Sequence, residues 1–355
     1  GTAGAVVAIK DYAGTFDTNA VTLAPNGSDK IAGDNTTDGK IDQKGIAVTL
    51  VFIDSTQGWL VTDSGLQSEV PTATFITATG GTITTSGNCK IHTFTGPGTF
   101  TVCTVANCAS NNIVSHIVVA GGGGGGYDVG GGAGAGGFRE VKTPATPYTA
   151  SPLDGYPSAP NRVTVTATGF PIVVGAGGAG ATAVPSPAAA GSVSTFSTIT
   201  SAGGGIGGNY PGNNGGNGGS GGGAAGHCAG GSGGTGNTPP VSPAQGTNGG
   251  GAPSSGTPTA SSGGGGGATA AGATGANPGS PYFTPRAAGA TTSINGSSVE
   301  YAQGGRGASD SAPCQQAGGN NTGTGGDGAG NAPGGICNAG AAGGSGIVII
   351  RYKFQ

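Results

Sequence analysis

The 355-residue chain contains 83 glycines, and 69 of them follow residue 120 in one long tract. This tract begins directly after the apolar run Ile117-Val118-Val119-Ala120 and ends at Ile347-Val348-Ile349-Ile350. A flexible linker does not require β-strands at its two ends, whereas a folded glycine-rich domain needs such strands to close its core. The sequence therefore predicts a folded domain over residues 117–355, closed by strands at 117–120 and 347–352.

Collagen and intrinsic disorder are the alternatives that so high a glycine content raises. The collagen repeat is excluded because Gly203–Gly208 is followed by Asn209-Tyr210-Pro211, which breaks every three-residue frame. Disorder is disfavoured by the low net charge of −3 and by apolar strand-like runs at 163–167 and 193–197 inside the tract. An ordered domain is the favoured interpretation.

The first 66 residues have the pattern of a small β-structured module. Turn signals such as Asn26-Gly27 and Asp38-Gly39 separate short apolar runs, and no stretch has the spacing of an amphipathic helix. Strands are predicted at 6–10, 20–23, 46–53 and 58–61.

The third of these strands is apolar on both faces. A module of about 65 residues buries little surface on its own, so a second copy of the chain is expected to cover one face. The candidate assembly residues are Val48, Leu50, Phe52 and Trp59.

Residues 67–116 are predicted to form a connector of β-hairpins that leads into the glycine-rich domain. Apolar and polar residues alternate at 90–95 and 98–102, as in a sheet with one buried face. The fold class is accordingly all-β: an assembly or shaft module at 1–66, this connector, and the glycine-rich domain at 117–355.

The charge content argues against several classes of partner. Only 8% of the residues are charged, so the basic stripe that nucleic-acid binding requires is not present. No apolar run approaches the ~20 residues that span a bilayer, and membrane insertion is not predicted. The chain has no methionine and no signal peptide at Gly1, which indicates a processed or truncated product.

Two glycine motifs are weak signals in such a composition. Gly175–Gly180 fits the dinucleotide pattern G-x-G-x-x-G, but Pro185 prevents the helix that this site needs. Gly325–Asn331 is similar to a calcium-binding glycine repeat but has one aspartate, so a polar turn is predicted. Histidines and acids are few and scattered, and neither an enzyme, a cofactor nor a metal site is predicted.

Six cysteines are present at irregular spacing, which leaves three interpretations open. One or two disulfides in an oxidising, extracellular setting are favoured over free thiols and over metal binding. Cys103 and Cys108 have a spacing that could close a small loop between two strands.

Several short segments of the first module resemble a β-module that recurs in tail fibres and other fibre proteins of bacteriophages. The resemblance covers roughly residues 6–62 and implies a trimeric β-structured shaft. The segments that carry it are Ile9–Gly14, Val21–Gly27, Ile31–Gly33, Val48–Val51 and Gly58–Val61.

A second resemblance covers residues 75–352. The runs Ile117–Gly126, Gly136–Val141, Phe170–Gly178 and Gly343–Tyr352 resemble a glycine-rich domain of phage tail fibres and adhesins. That resemblance implies packed polyglycine II segments. A polyproline-II-like helix has three residues per turn and no internal hydrogen bonds, so chains without side chains can pair with their neighbours on all sides.

Aromatic residues interrupt the glycine tract in insertions rich in Pro, Ser and Thr. Loops joining rigid glycine segments would present such rings at the ends of the domain, where tyrosine binds at low entropic cost. The alternative is that the rings cap the glycine core or pack between subunits. The candidate receptor-binding residues are Tyr148, Tyr156, Tyr210, Tyr282, Phe283 and Tyr301.

These resemblances imply an extracellular, homo-oligomeric fibre protein on a virion surface. The expected function is that of a phage tail fibre or adhesin that recognises a bacterial surface polysaccharide or protein receptor. The alternative is a structural subunit that assembles into an extracellular filament. The partners are thus further copies of the chain, as a homotrimer or helical polymer, and a bacterial surface.

Overall fold

The computed structural model describes residues 1–66, 73–184, 186–210, 214–226, 231–253, 261–276, 283–309, 312, 314–330 and 338–355. It divides into two compact units, Gly1–Ala73 and Thr74–Gln355. The described residues form eighteen strands and two short 3-10 helices, Ala109–Asn112 and Ala159–Asn161, so the all-β prediction is confirmed. None of these helices has the length and hydrophobicity needed to cross a membrane.

The first unit contains one three-stranded antiparallel sheet in the order β1-β4-β5 and one hairpin, β2-β3. A buried carboxylate, Asp11, ties two loops of this unit together by accepting backbone N–H bonds from Thr15, Phe16 and Gly45 at 2.8 to 3.1 Å. The strands are β1 Val6–Lys10, β2 Val21–Leu23, β3 Gly39–Ile41, β4 Ile46–Asp54 and β5 Gly58–Leu66.

The predicted assembly residues face the interior of this first unit. Val48, Leu50 and Phe52 alternate along β4 and are buried, and the ring of Trp59 lies 5.6 Å from that of Phe52. The apolar surfaces of Val48, Leu50 and Phe52 are therefore covered by the unit itself, which corrects the expectation that another copy covers them, while Trp59 is half-buried. Val51 and its cross-strand partner Val6 lie on the opposite face, because successive residues of a strand point to opposite sides.

The second unit contains two larger antiparallel sheets and one hairpin. One sheet has the order β11-β10-β18-β8-β7, with β12 also paired to β10; the other has the order β15-β14-β13-β9-β6; β16 and β17 form the hairpin. The strands are β6 Thr77–Thr79, β7 Thr82–Ser86, β8 Cys89–Phe94, β9 Gly98–Thr104, β10 Ile113–Val119, β11 Phe138–Val141, β12 Val163–Thr164, β13 Gly169–Val173, β14 Ser194–Phe196, β15 Ile199–Ser201, β16 Ala290–Thr292, β17 Val299–Tyr301 and β18 Ile347–Lys353.

The two strands that bound the glycine tract, β10 and β18, pair with each other. Val118 and Val348 point into a core shared by the two large sheets. Ile117, Val119 and Ile349 point into a second core on the other side of the sheet. Both strands are buried on both faces, which explains why their apolar runs show no polar alternation.

The glycine segment 121–126 continues from β10 and bonds to its neighbours with a three-residue period. Successive N–H groups donate to the segments 189–192, 341–344 and 131–134 in turn, at 2.9 to 3.0 Å. Successive carbonyl groups accept from three other segments, at 204–207, 178–181 and 326–329. Six extended neighbours therefore surround one central segment, and every backbone polar group of that segment is paired.

Residues 131–136 repeat this arrangement. Their N–H groups donate in rotation to the segments 205–208, 263–266 and 323–326. Three-residue periodicity with bonds to separate neighbours is the polyglycine II geometry that the sequence implied. We call each such segment a rod and the whole array the rod lattice.

Close spacing explains why the rods consist of glycine. A Cβ atom added at any residue from Gly121 to Gly126 would lie closer than 3.0 Å to a backbone atom of a neighbouring rod. Real Cβ atoms essentially never approach so closely. The lattice therefore requires glycine wherever a Cβ atom would meet the backbone of a neighbouring rod.

The rods run alternately away from the sheets and back. The chain leaves β10 through 121–126, reverses at 127–130, and returns through 131–136 to β11. At a rise of ~3.1 Å per residue, six residues place that reversal roughly 19 Å from the end of β10. Rods 178–181 and 204–207 run parallel to 121–126, so the residues that follow them lie at the same distant end.

Candidate functional site

Three chain reversals meet at the end of the rod lattice that is remote from the sheets. Asn209 joins them: its Oδ1 accepts from the Tyr127 backbone N–H at 2.9 Å, and its Nδ2 donates to the Ser186 carbonyl at 3.1 Å. The Tyr210 N–H donates to the Tyr127 carbonyl at 3.4 Å. We call this group, formed by 127–130, 182–184, Ser186 and 209–210, the distal tip.

The distal tip presents two tyrosines on a rigid support. Tyr210 is 39% exposed and Tyr127 is half-buried. Asp128 and Val129 adopt φ values of 50° and 46°, a left-handed conformation that non-glycine residues rarely adopt. Hydrogen bonds from the Asp128 N–H to the Asn338 carbonyl and from the Gly130 N–H to the Ala329 carbonyl connect this turn to the neighbouring segments.

Two of the predicted receptor-binding residues belong to the second core instead. Tyr301 is 3% exposed, and burial raises its pKa to about 12. Tyr148 packs against the same core and donates from its hydroxyl to the Val141 carbonyl at 3.4 Å. Burial, together with the nearby Glu140 charge, raises the pKa of Tyr148 far above its ordinary value. The Tyr301 ring is thus enclosed in the core, whereas the Tyr148 ring is half-buried at its edge.

The remaining predicted aromatics are distributed between different sites. Tyr156 is half-buried and stacks with the Arg162 guanidinium at 4.4 Å. Phe283 stacks with the Arg306 guanidinium at 4.3 Å. Tyr282 lies outside the described residues. Of the described candidates, Tyr210 alone lies in the distal tip as we define it.

Tyr127 is the tip residue that the sequence interpretation missed. It follows six consecutive glycines and is not part of a Pro-rich insertion, so the pattern of aromatic insertions does not indicate it. The break in the glycine run at Tyr127-Asp128 does indicate a chain reversal there, because a rod must end where side chains begin.

The aspartate of the weak calcium motif is a buried ion-pair centre. Asp327 is fully buried and its carboxylate contacts Arg286 at 2.8 Å and Arg306 at 2.6 Å. Backbone N–H groups of Arg306 and Gln316 donate to the same carboxylate. The predicted polar turn is therefore wrong, because residues 325–330 form an extended segment and Asp327 is buried within it with its charge paired. Within the described ranges no three His, Cys, Asp or Glu side chains converge on a metal-sized site.

A comparison with protein families agrees with this architecture. The sequence profile described as a glycine-rich domain matches residues 93–353. The chain belongs to this glycine-rich domain family. The match begins in β8, includes the rod lattice and the distal tip, and ends with the last residue of β18. No curated protein matches the chain.

Two histidines of the second unit lie in one row across its six-stranded sheet. His92 on β8 and His116 on β10 are both paired in register with Ile350 of β18. His92 is fully satisfied: one ring nitrogen lies 2.7 Å from the Gly80 carbonyl and the other 3.1 Å from the Tyr352 hydroxyl. Neither ring nitrogen of the buried His116 makes a hydrogen bond of acceptable geometry with a described residue.

His116 is expected to make stability depend on pH. Burial is the main cause that lowers its pKa from 6.5 to about 4; the Arg139 charge adds to this effect, and the Val114 backbone only partly opposes it. The unfolded chain is protonated at His116 at a higher pH than the folded chain. The stabilisation that neutral His116 contributes is therefore complete above about pH 6.5 and is lost as the pH falls towards 4. The loss is roughly 3 kcal/mol.

Urea titrations of the wild type and of His116→Leu between pH 7 and pH 4 measure this effect. The variant should lose less stability over that range than the wild type does, while carboxylates such as Glu140 contribute equally to both. Parallel pH profiles would contradict the assignment.

The predicted disulfide between Cys103 and Cys108 is not formed. Both are free, exposed cysteines, and the Cys108 sulfur lies 3.2 Å from the Ser110 hydroxyl, just ahead of the first 3-10 helix. That hydrogen bond is the main cause that lowers the pKa of the Cys108 thiol. Cys314 is disulfide-bonded, whereas Cys89 is free like Cys103 and Cys108, so the described cysteines include both a disulfide and free thiols.

Proposed function

We propose that this chain is an extracellular fibre protein, a phage tail fibre or receptor-binding adhesin, whose distal tip binds a bacterial surface glycan or protein. The observation that carries the proposal is the position of the tip. A lattice with paired backbone groups holds three reversals roughly 19 Å from the supporting sheets, and binding residues commonly lie on loops held by a rigid scaffold.

The chemistry of the tip favours binding through contact area. An exposed tyrosine supplies a flat apolar ring and a hydroxyl, and it loses little conformational entropy when it becomes fixed. Tyr210 has this exposure, and Tyr127 lies beside it. The tip thus resembles a small aromatic platform on a stiff support, a binding surface with no reaction assigned to it.

Replacing Tyr210 by alanine is expected to weaken binding of the soluble protein to its bacterial host about 10- to 30-fold, the usual effect of removing an aromatic anchor. The measurement is the binding of labelled protein to a panel of bacterial strains and to immobilised surface polysaccharides. Tyr12→Ala is the matched control, because Tyr12 is 98% exposed and belongs to the other unit. Equal binding by both variants would reject the distal tip as the receptor site.

Assembly into a homotrimer or a helical polymer is the second part of the proposal. The first unit keeps large apolar side chains exposed, with Val6 at 61% and Val61 at 58%. Exposed apolar residues on so small a unit favour association with another copy. They also support the alternative function, a filament subunit without a receptor.

Electron microscopy of the purified chain distinguishes these two functions. A phage fibre or adhesin should give short particles of defined length. Long open-ended fibres formed without cells would favour the filament subunit instead.

A further inference from the structure

A small cavity lies beside His116 in the second unit, with a volume of about 10 Å³. Its polar lining includes Arg139 and Asn161, and its apolar lining includes Val141, Leu153 and Ile199. The Arg139 guanidinium donates to the Asn161 Oδ1 at 2.6 Å, so the polar groups of the wall are already ordered.

The size and chemistry of this cavity select one ligand. A cavity of about 10 to 15 Å³ on this scale holds one water molecule, and a buried water needs two to four polar partners. Dry cavities are lined by apolar groups alone, whereas this wall combines an imidazole, a guanidinium and an amide.

A comparison of His92 with His116 shows which hydrogen bonds the His116 ring does not make to protein groups. His92 bonds through both ring nitrogens to protein groups, whereas the ring of His116 is fully buried without such bonds. The ring packs against Phe196 in a T-shaped arrangement, with centroids 5.5 Å apart, and a phenyl ring offers at most a weak π acceptor in place of an oxygen. Buried polar groups are almost always paired with protein or with ordered water.

We propose that one ordered water molecule occupies this cavity and forms a hydrogen bond with a ring nitrogen of His116. The Arg139 and Asn161 groups in the wall supply its other partners. The water is part of the core between the two large sheets. It forms at His116 the kind of hydrogen bond that Gly80 and Tyr352 form at His92. It also couples β10 to β11 and to the loop that carries Asn161.

A crystal structure of the wild-type chain at a resolution that shows ordered water is the test. We expect one water peak within hydrogen-bonding distance of His116 Nδ1 or Nε2, in every copy of the chain and in more than one crystal form. The same map should show a water-free environment around His92, which serves as the internal control. A cavity without density in those maps would overturn the proposal.

A second measurement does not depend on crystals. Water-to-protein magnetisation transfer in NMR should give a cross peak between a long-lived water and the His116 ring or its neighbours, and that peak should vanish in His116→Leu. His92→Leu should keep the peak if that variant folds. The absence of the peak in the wild type, or its persistence in folded His116→Leu, would show that His116 does not hold a water.

Discussion

Valine in place of Gly124 is expected to abolish stable folding of the second unit. The Cβ atom of the new side chain would overlap the Ala179 carbonyl group of a neighbouring rod. Gly124 also donates to the Ala189 carbonyl and accepts from the Gly207 N–H, at 2.9 and 3.0 Å. Overpacking and the loss of two buried hydrogen bonds together cost roughly 4 kcal/mol or more.

Calorimetric melting and limited proteolysis measure this effect. Gly96→Val is the matched control, because a Cβ atom at Gly96 meets nothing within 4 Å. The control should melt within a few degrees of the wild type, while the Gly124 variant should lose the transition of the second unit and become sensitive to protease. Similar melting of both variants would mean that the glycines at 121–126 are not closely packed.

The second large effect is expected for Asp327→Asn. The substitution keeps the shape of the side chain but removes the charge that pairs with Arg286 and Arg306. Removing one partner of a buried ion pair costs about 3 to 5 kcal/mol, because the remaining charge stays uncompensated. Two guanidinium groups lose their partner here, so the upper part of that range is expected.

Urea unfolding of the second unit measures the loss. Asp42→Asn, followed in the unfolding of the first unit, is the control for an exposed pair: it removes the Lys40–Asp42 pair, which has a distance of 3.3 Å and is largely exposed. Such surface pairs contribute at most about 1 kcal/mol. A small effect at Asp327, comparable to that at Asp42, would contradict the assignment of Asp327 as a buried charge centre.

The strands that bound the glycine tract could be predicted because the apolar pattern of a strand depends on a few consecutive residues. The unbroken apolar runs at 117–120 and 347–350 require burial on both faces, and β10 and β18 show that burial. The polyglycine II geometry could be anticipated from the resemblance to the glycine-rich domain of phage fibres, and a three-residue period without side chains is the physical reason why such segments can bond on all sides.

The arrangement of the rods could not be predicted in the same way. All rods have nearly the same composition, so the sequence does not specify that 121–126 lies beside 341–344. The partners of rod 121–126 range from 131–134 to 341–344, so they are spread over more than 200 residues of the chain. Only the residues other than glycine distinguish one rod from another. The contacts of those residues depend on neighbouring rods, which cannot be identified from the nearby sequence.

The aromatic residues illustrate this limit. Tyr301 and Tyr210 both follow or precede glycine segments, yet Tyr301 ends a hairpin in the second core and Tyr210 lies at the distal tip. A smaller signal was present at Asn214 and Asn217. Their side-chain carbonyls accept from the Ser232 and Thr235 N–H groups at the lattice edge. The three-residue spacing of these asparagines therefore marks a rod that bonds to its neighbour through side chains.

Hydrogen exchange of the individual glycine amides tests the rod lattice most directly. The lattice predicts that amides of 121–126 and 131–136 exchange as slowly as those of β10, because each donates to a neighbouring rod in the interior. Amides of Gly87 and Gly96, which lie in turns outside the lattice, should exchange rapidly. Fast exchange throughout 121–126 would show that the glycine tract is not an ordered lattice.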